Sequence, residues 1–322
     1  NSGYKGDRWA RGAGSVRLPA SASARDAIAT EDTVSSGMLG RALSFAGALL
    51  AMTQGALAQQ AGVGAWENPS YTTLDWLEEH PGLDWYYNWR TDEIRHRGQR
   101  RRSVEFIPMI HGADDVDARV RSSRRPRALL GFNEPDGHGG SHQAGMSVAE
   151  AIALWPRLEA HGLRLGSPAT TQAGTLGRGS WQGRFMDEVQ RRGLRVDFMA
   201  VHYYSTTGNV DEFRNWLIAV HRQYRRPVWV TEFAYIDWNR PSRATYAANA
   251  AFAAEAIRMM RTLPFVERYA WFAANPYPWR GRAPEINLVD SHMRQTPLGV
   301  TFEAILSGRM PESIASADSV RR

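Results

Sequence analysis

From residue 62 onward, short apolar runs recur along the chain, and longer stretches with apolar residues at helical spacing lie between them. The runs predict strands at 62–66, 85–89, 104–110, 128–133, 163–167, 198–203, 227–232 and 269–272. Between them, the segment 147–161 brings Val148, Ile152, Trp155 and Leu158 to one helical face, and 210–224 does the same with Phe213, Leu217 and Val220. Ser147, followed three residues later by Glu150, has the form of a capping box and marks a helix start. Alternation of this kind belongs to a parallel α/β sheet, and eight strands predict a single closed (β/α)8 barrel. No glycine-rich phosphate fingerprint follows the first run, which weighs against an open nucleotide-binding sheet.

In such a barrel the chemistry sits at the carboxyl ends of the strands, so the polar residues there are the informative ones. The fourth run ends Gly131-Phe132-Asn133-Glu134-Pro135-Asp136 and the seventh ends Val230-Thr231-Glu232-Phe233. Each apolar strand therefore delivers a glutamate to the mouth, and strands four and seven face each other across it. Glycoside hydrolysis needs a pair of this kind, one carboxyl protonating the leaving oxygen and one attacking the anomeric carbon. Asn133, beside the first glutamate, is placed to hydrogen-bond a sugar hydroxyl. A single glutamate at a strand end would more often be a cap or an ion-pair partner; the opposed pair points to catalysis.

These motifs resemble the large clan of retaining (β/α)8 glycosidases, whose members carry Asn-Glu at the fourth strand and Glu at the seventh. More narrowly, Trp85-Tyr86-Tyr87-Asn88-Trp89, Phe106-Ile107-Pro108-Met109, the Asn133-Glu134 segment, Val201-His202-Tyr203-Tyr204 and Thr231-Glu232-Phe233 together resemble glycoside hydrolase family 128, the alkali-sensitive-linkage-protein-like catalytic core. The resemblance spans about residues 62–302. It implies a metal-free, cofactor-free retaining β-1,3-glucanase with Glu134 as acid/base and Glu232 as nucleophile. The loop Gly137-His138-Gly139-Gly140-Ser141-His142 is richer in histidine than that pattern leads one to expect, which leaves cleavage mode and chain-length preference open.

Around the two glutamates, period-two alternation puts His202 and Tyr204 on one face of the sixth strand, where the tyrosine hydroxyl can donate to Glu232. Asn88 and Trp89 at the end of the second strand, His111 after the third and Trp271 in the eighth are the candidate sugar-binding residues. Trp66, Tyr235, Trp238 and Trp279 are candidate outlying platforms. His138 and His142 lie four apart, but in a glycine-rich loop rather than on a helix that would bring them to one face, so they are read as part of a loop over the cleft and not as metal ligands.

Composition narrows these readings. Of 39 basic residues only Lys5 is lysine, so a barrel formed by the residues after it has no Schiff-base amine, and the absence of cysteine removes thiol nucleophiles and disulfides. The net charge of +6 is carried by scattered arginines, densest at 95–102 and 119–127; no aromatic residues interleave with the second run as a base-stacking groove requires, so they are read as solvated helix faces, with a polyanion or cell-surface patch as the alternative, and not as a nucleic-acid site. The 12 tryptophans supply more flat apolar faces than a core of this size needs, in keeping with a sugar-binding cleft.

The expected partner is a polysaccharide or oligosaccharide, bound by a monomer. A non-catalytic carbohydrate-binding barrel and a transglycosylase are the competing readings; the second uses the same residues. At the N-terminal side, Met38-Leu39-Gly40-Arg41, an apolar stretch from Ala42 to Met52 and Ala56-Leu57-Ala58 have the layout of a secretory signal peptide at 38–58, too short to span a bilayer. This predicts a secreted or periplasmic protein, free of the membrane once the signal is cleaved. Residues 1–37 are expected to be disordered or to lie upstream of the true start, 59–309 to form the catalytic domain, and 310–322 to be a loosely ordered tail.

Overall fold

The computed structural model describes residues 59–309 apart from 97, 99–102, 139–141, 280 and 282, so the expectations for 1–58 and 310–322 lie outside the described residues. Eight parallel strands run through this part of the chain: β1 Gln60–Ala65, β2 Trp85–Tyr87, β3 Glu105–Phe106, β4 Ala128–Leu129, β5 Arg164–Leu165, β6 Met199–Ser205, β7 Val228–Tyr235 and β8 Val266–Ala274. One sheet has the order β3-β2-β1-β8-β7-β6, and β4 pairs with β5. Parallel bridges at Met109–Leu130 and Gly166–Phe198 carry the pairing from β3 to β4 and from β5 to β6, closing the ring. The predicted runs at 104–110, 128–133 and 163–167 are thus shorter as regular strands. Pro108 has no N–H to donate, and beyond Phe106 the pairing continues only as isolated bridges.

The helices are α1 Thr73–Glu79, α2 Val148–Glu159, α3 Gln172–Thr175, α4 Trp181–Arg192, α5 Val210–Tyr224, α6 Tyr246–Met260 and α7 Pro297–Leu306. Ser147 caps α2 through its hydroxyl, which accepts from Glu150 N at 3.1 Å, and the buried side of α2 carries Ile152, Trp155 and Leu158 as the periodicity predicts. The strand–helix alternation lapses early in the barrel. Among the described residues no α-helix separates β2 from β3, and only a 3-10 turn at Ala113–Asp115 separates β3 from β4. None of the described helices is long and apolar enough to cross a membrane.

Two cores result. The larger lies between the strands and the helices; the smaller fills the barrel and consists of alternate strand residues, among them Trp85, Ile107, Leu130, Phe198, Ala200, Trp229 and Ala270. Phe198 and Trp229 stack inside it at 3.9 Å between centroids. β1 contributes no inward side chain at Gly62 or Gly64. A Cβ on Gly62 would meet the Trp85 ring at 2.5 Å, and one on Gly64 would meet Trp89 Cη2 at 2.6 Å, so hydrogen at these two positions makes room for the indoles. At the amino ends of the strands Arg268 covers the plug, its guanidinium 4.3 Å from the Trp229 centroid and 2.8 Å from Glu105 Oε2. Beside it, Arg164 pairs with Glu267, which also accepts the Trp229 indole N–H at 2.8 Å.

Because Trp85 is wholly buried and has nowhere to retreat, Gly62→Ala overpacks the barrel. The expected loss is about 1–3 kcal/mol of stability, read as a lower midpoint with unchanged slope in urea denaturation.

Candidate active site

The mouth of the barrel gathers its polar groups around Glu232. Strand alternation alone would have turned this side chain outward. Trp229 lies in the inner core, whereas Val228, Val230 and Phe233 all lie in the outer one, so the inward/outward parity of β7 reverses between Val230 and Phe233. The reversal coincides with register shifts against β6 and β8 at this point, and such a bulge re-aims a side chain. Glu232 is thereby directed into the cleft with 4% of its surface exposed.

Four side chains meet its carboxylate. Trp89 Nε1 donates to Oε1 at 2.8 Å, the Tyr87 hydroxyl lies 3.1 Å from the same oxygen, and the Tyr204 hydroxyl donates to Oε2. His202 Nε2 is 3.4 Å from Oε1. Its Nδ1 shares a 3.0 Å hydrogen bond with Glu134 Oε1, so the fully buried imidazole stands between the two carboxylates. Gln143 Nε2 donates to Glu134 Oε2 at 2.8 Å. One donor atom from each of Glu134, His202 and Glu232 lies within 4.8 Å of the others. Three such groups can hold a metal ion, but here the two imidazole nitrogens turn to different carboxylates, a geometry suited to sharing a proton rather than converging on one ion. Glu134 and Trp89 both adopt left-handed backbone, φ 42° and 55°, an uncommon conformation for residues other than glycine that collects at functional sites.

Electrostatics bind the three groups into one titrating unit. Burial holds the Glu232 carboxyl above its usual range, with His202, Tyr204 and Trp89 pulling the other way. Burial would also raise Glu134, but the hydrogen bond and charge of His202, with help from Gln143 and His111, bring it below. His202 is raised, its own burial outweighed by the two carboxylates. Burial and the charge of Glu232 push the Tyr87 and Tyr204 hydroxyls far up, so both remain proton donors across the physiological range.

The other candidates divide. Trp89, His202 and Tyr204 contact a glutamate directly. His111 follows β3 at the cleft edge, its charge felt at Glu134, and burial lowers its pKa. Asn133 is buried beside Glu134; its amide donates to His142 O at 2.8 Å while its Oδ1 is buried without a partner. The Asn88 amide N–H donates to Asp92 O at 2.8 Å in the loop after β2, while its Oδ1, like that of Asn133, is buried without a partner. Trp271 corrects the expectation. It is fully buried, its N–H donates to Ile286 O at 2.9 Å, and its ring packs on Phe233 and Phe302 in the outer core. Ala270 points into the barrel, so alternation turns Trp271 away from the cleft and brings Phe272 to it.

Phe272 belongs to an aromatic wall that the sequence reading saw only in part. Its ring lies 5.9 Å from Trp89, 5.6 Å from Trp66, 5.6 Å from Tyr204 and 6.3 Å from Trp279, and Trp238 joins Trp279 at 6.0 Å. Trp238 and Tyr277 are exposed, whereas Tyr235 packs toward Phe252 of α6 and is no platform. Tyr87 and Gln143 were also missed. Tyr87 alternates with Trp85 and Trp89 on one face of β2, a signal present in the sequence, but Gln143 lies in a loop with no pattern to mark it.

The family model described as the glycosyl hydrolase catalytic core matches residues 64–302. The crystal structure of a GH128 (subgroup I) endo-beta-1,3-glucanase from Amycolatopsis mediterranei in complex with laminaritriose is similar, with 33% identity and a TM-score of 0.62 over 77% of this chain and 99% of that one. A GH128 (subgroup II) endo-beta-1,3-glucanase from Sorangium cellulosum is 26% identical, with a TM-score of 0.60 over 76% of this chain and 98% of that one. Alkali-sensitive linkage protein 1 of Schizosaccharomyces pombe is 27% identical over 197 residues, 60% of this chain, and the chain spans only 34% of that relative. A barrel with two glutamates opposed at its mouth and a family match across nearly all of its described residues make this chain a member of the glycosyl hydrolase catalytic core family, a glycosidase of the GH128 kind.

Proposed function

We propose that the protein hydrolyses β-1,3-glucan with retention of configuration, Glu232 acting as nucleophile and Glu134 as acid/base. The observation that carries this reading is the approach of the two carboxylates, with an oxygen of each within 4.8 Å of the other. Retaining enzymes hold their carboxyl pair about 5–5.5 Å apart, inverting ones about 6.5–9.5 Å to admit a water. The β-1,3 linkage is supported by the two glucanases to which the chain is similar. Export through the 38–58 segment belongs to the same reading; N-terminal sequencing of protein recovered outside the cell tests it, with Gln59 the expected first residue.

In the first step a Glu232 oxygen attacks the anomeric carbon while Glu134 passes its proton to the glycosidic oxygen, and the leaving sugar departs with that proton. In the second step water attacks the glycosyl–Glu232 ester, and Glu134, now a carboxylate, accepts the water's proton as the Glu232 bond breaks. The roles require a proton on Glu134 and none on Glu232, the reverse of the directions that burial and His202 impose on the free protein. The hydrogen-bond frame accommodates both states without moving a heavy atom. A proton on Glu134 Oε1 can be donated to His202 Nδ1, which leaves the imidazole neutral with its Nε2–H toward Glu232. Glu232 is then an anion facing the neutral donors Trp89 and Tyr204, with Tyr87 dividing its single hydroxyl proton between Glu232 Oε1 and Thr231 O. Asn133, buried beside Glu134, is the residue this reading assigns to a sugar hydroxyl near the reacting carbon.

A product profile on laminarin, curdlan, mixed-linkage glucan, cellulose and xylan tests the substrate class. Release of β-1,3-linked oligosaccharides by the wild type and none by Glu134→Gln/Glu232→Gln is expected, and binding without release from any substrate would sink the hydrolase reading. For the roles, Glu232→Ala should lose turnover by more than about 10³-fold and recover it on an activated glycoside when azide is added. Glu134→Ala should slow poor leaving groups far more than good ones, since only the former need the proton; equal losses on both would contradict the assignment.

Tyr204→Phe removes a donor to the carboxylate form of Glu232. Its pKa should rise further, shifting the acid limb of the kcat/KM profile to higher pH, with kcat lowered about 10²-fold. An unmoved acid limb would show that the hydroxyl does not stabilise the anion.

A further inference from the structure

We propose that Gln143 is a positioning residue that confines the acid proton of Glu134 to Oε1, the oxygen turned toward Glu232. The proposal rests on the reading of Glu134 as acid/base and adds which of its two oxygens serves. Glu232 attacks the anomeric carbon and Glu134 protonates the oxygen bonded to that carbon, so the proton is needed between the two carboxylates. His202, which stands there, meets Glu134 on Oε1 at 3.0 Å and lies 3.4 Å from Glu232 Oε1. Glu134 Oε2 instead meets Gln143 Nε2 at 2.8 Å, on the side of the loop after β4.

An amide is in general free to turn over and offer its oxygen in place of its nitrogen. Here the orientation is fixed. The backbone N–H of His138, which can only donate, reaches Gln143 Oε1 at 3.0 Å, so the amide nitrogen is the end left for Glu134. Gly137 leaves the room for this amide: a Cβ there would stand 2.3 Å from Gln143 Cδ and 2.4 Å from its Oε1. The residues flanking Gln143 are fastened to the strand end that carries the glutamate. Asn133 Nδ2 donates to His142 O at 2.8 Å, and Ala144 N donates to Asn133 O at 2.8 Å. Glu134 Oε2 therefore always faces a donor hydrogen. A second hydrogen placed on Oε2 would crowd that donor and weaken the oxygen as an acceptor, whereas one placed on Oε1 finds an acceptor in the neutral His202 Nδ1.

Other charges act on Glu134 as well. They are His202 from β6, Glu232 from β7, His111 after β3, and His142 and Asp136 from the segment around it. The Tyr87 and Tyr204 hydroxyls stay protonated beside it. All of these are common to the wild type and to variants at position 143, so a difference between those proteins reads the amide alone.

The test compares Gln143→Glu with Gln143→Met. Glutamate keeps the size of the side chain and an oxygen for the His138 N–H, so a residue that merely held the loop would tolerate it better than methionine. A positioning residue reverses that order. A carboxylate at 143 accepts a proton from Glu134 Oε2 and draws it to the oxygen remote from the sugar, whereas methionine lets the proton sit on either. On laminarin, kcat/KM should fall about 10²-fold in Gln143→Glu and about 10-fold in Gln143→Met, while an activated aryl glycoside, which needs no proton, stays within about threefold in both. NMR titration of isotope-labelled glutamate, with the Glu134 signal identified by its loss in Glu134→Gln, should place Glu134 about one pH unit higher in Gln143→Met and higher still in Gln143→Glu. Gly137→Ala, which keeps Gln143 and pushes its amide aside, should move the same signal in the same direction. Laminarin activity higher in Gln143→Glu than in Gln143→Met, or a Glu134 signal unmoved in Gln143→Glu and Gly137→Ala, overturns the proposal. The titration also separates the proposal from the reading beneath it. A moved signal in a protein whose parent cleaves no glucan refutes the hydrolase and keeps the hold of Gln143 on the Glu134 proton; an unmoved one in a protein that cleaves laminarin refutes the positioning role alone.

Discussion

A carboxylate held at 4% exposure must be met by donors, and the mouth of this barrel is arranged around that requirement. Glu232 takes its partners from β2, from the left-handed residue just beyond β2, and from β6, so the three segments have to arrive at one point with their side chains in register. The interior supports this. Gly62 and Gly64 leave the space that Trp85 and Trp89 occupy, and the packed indoles in turn keep the Trp89 N–H on Glu232 Oε1. Buried polar groups are tolerable only when satisfied, and the same satisfaction keeps the site rigid.

The histidine between the carboxylates links stability to chemistry. His202 has no solvent contact and two acidic neighbours, so each of the three groups shifts the titration of the other two. Single-site titration is therefore the wrong description of this centre, and the roles of acid and nucleophile belong to the unit once a sugar is present. Gln143 adds a donor to Glu134 from a loop, tying the second carboxylate to that segment.

Much of the fold could be read from the chain because its signals are local. The apolar runs placed all eight strands, and the face formed by Ile152, Trp155 and Leu158, with Ser147 as cap, placed α2 within a few residues. Strand lengths in the β3–β5 arc were overestimated, since an apolar run records burial and not the regular ladder that Pro108 interrupts. The same locality made Glu134, Glu232, His202 and Tyr204 visible as a group. Trp271 was misplaced because an aromatic residue near a strand end has two faces to choose from, and only the neighbouring Ala270 in the barrel interior decides which one it takes.

Sequence alone determined the architecture, the family resemblance and the candidate carboxylates, because hydrophobic period and motif order are written along the chain. The tertiary structure decided where those carboxylates point. A bulge in β7 reverses the parity that would have turned Glu232 outward, Phe272 rather than Trp271 faces the cleft, and Tyr87 and Gln143 reach the glutamates from segments 145 and nine residues away. Register shifts and contacts of that separation depend on how strands pack around a shared interior, and no local stretch of sequence carries that information.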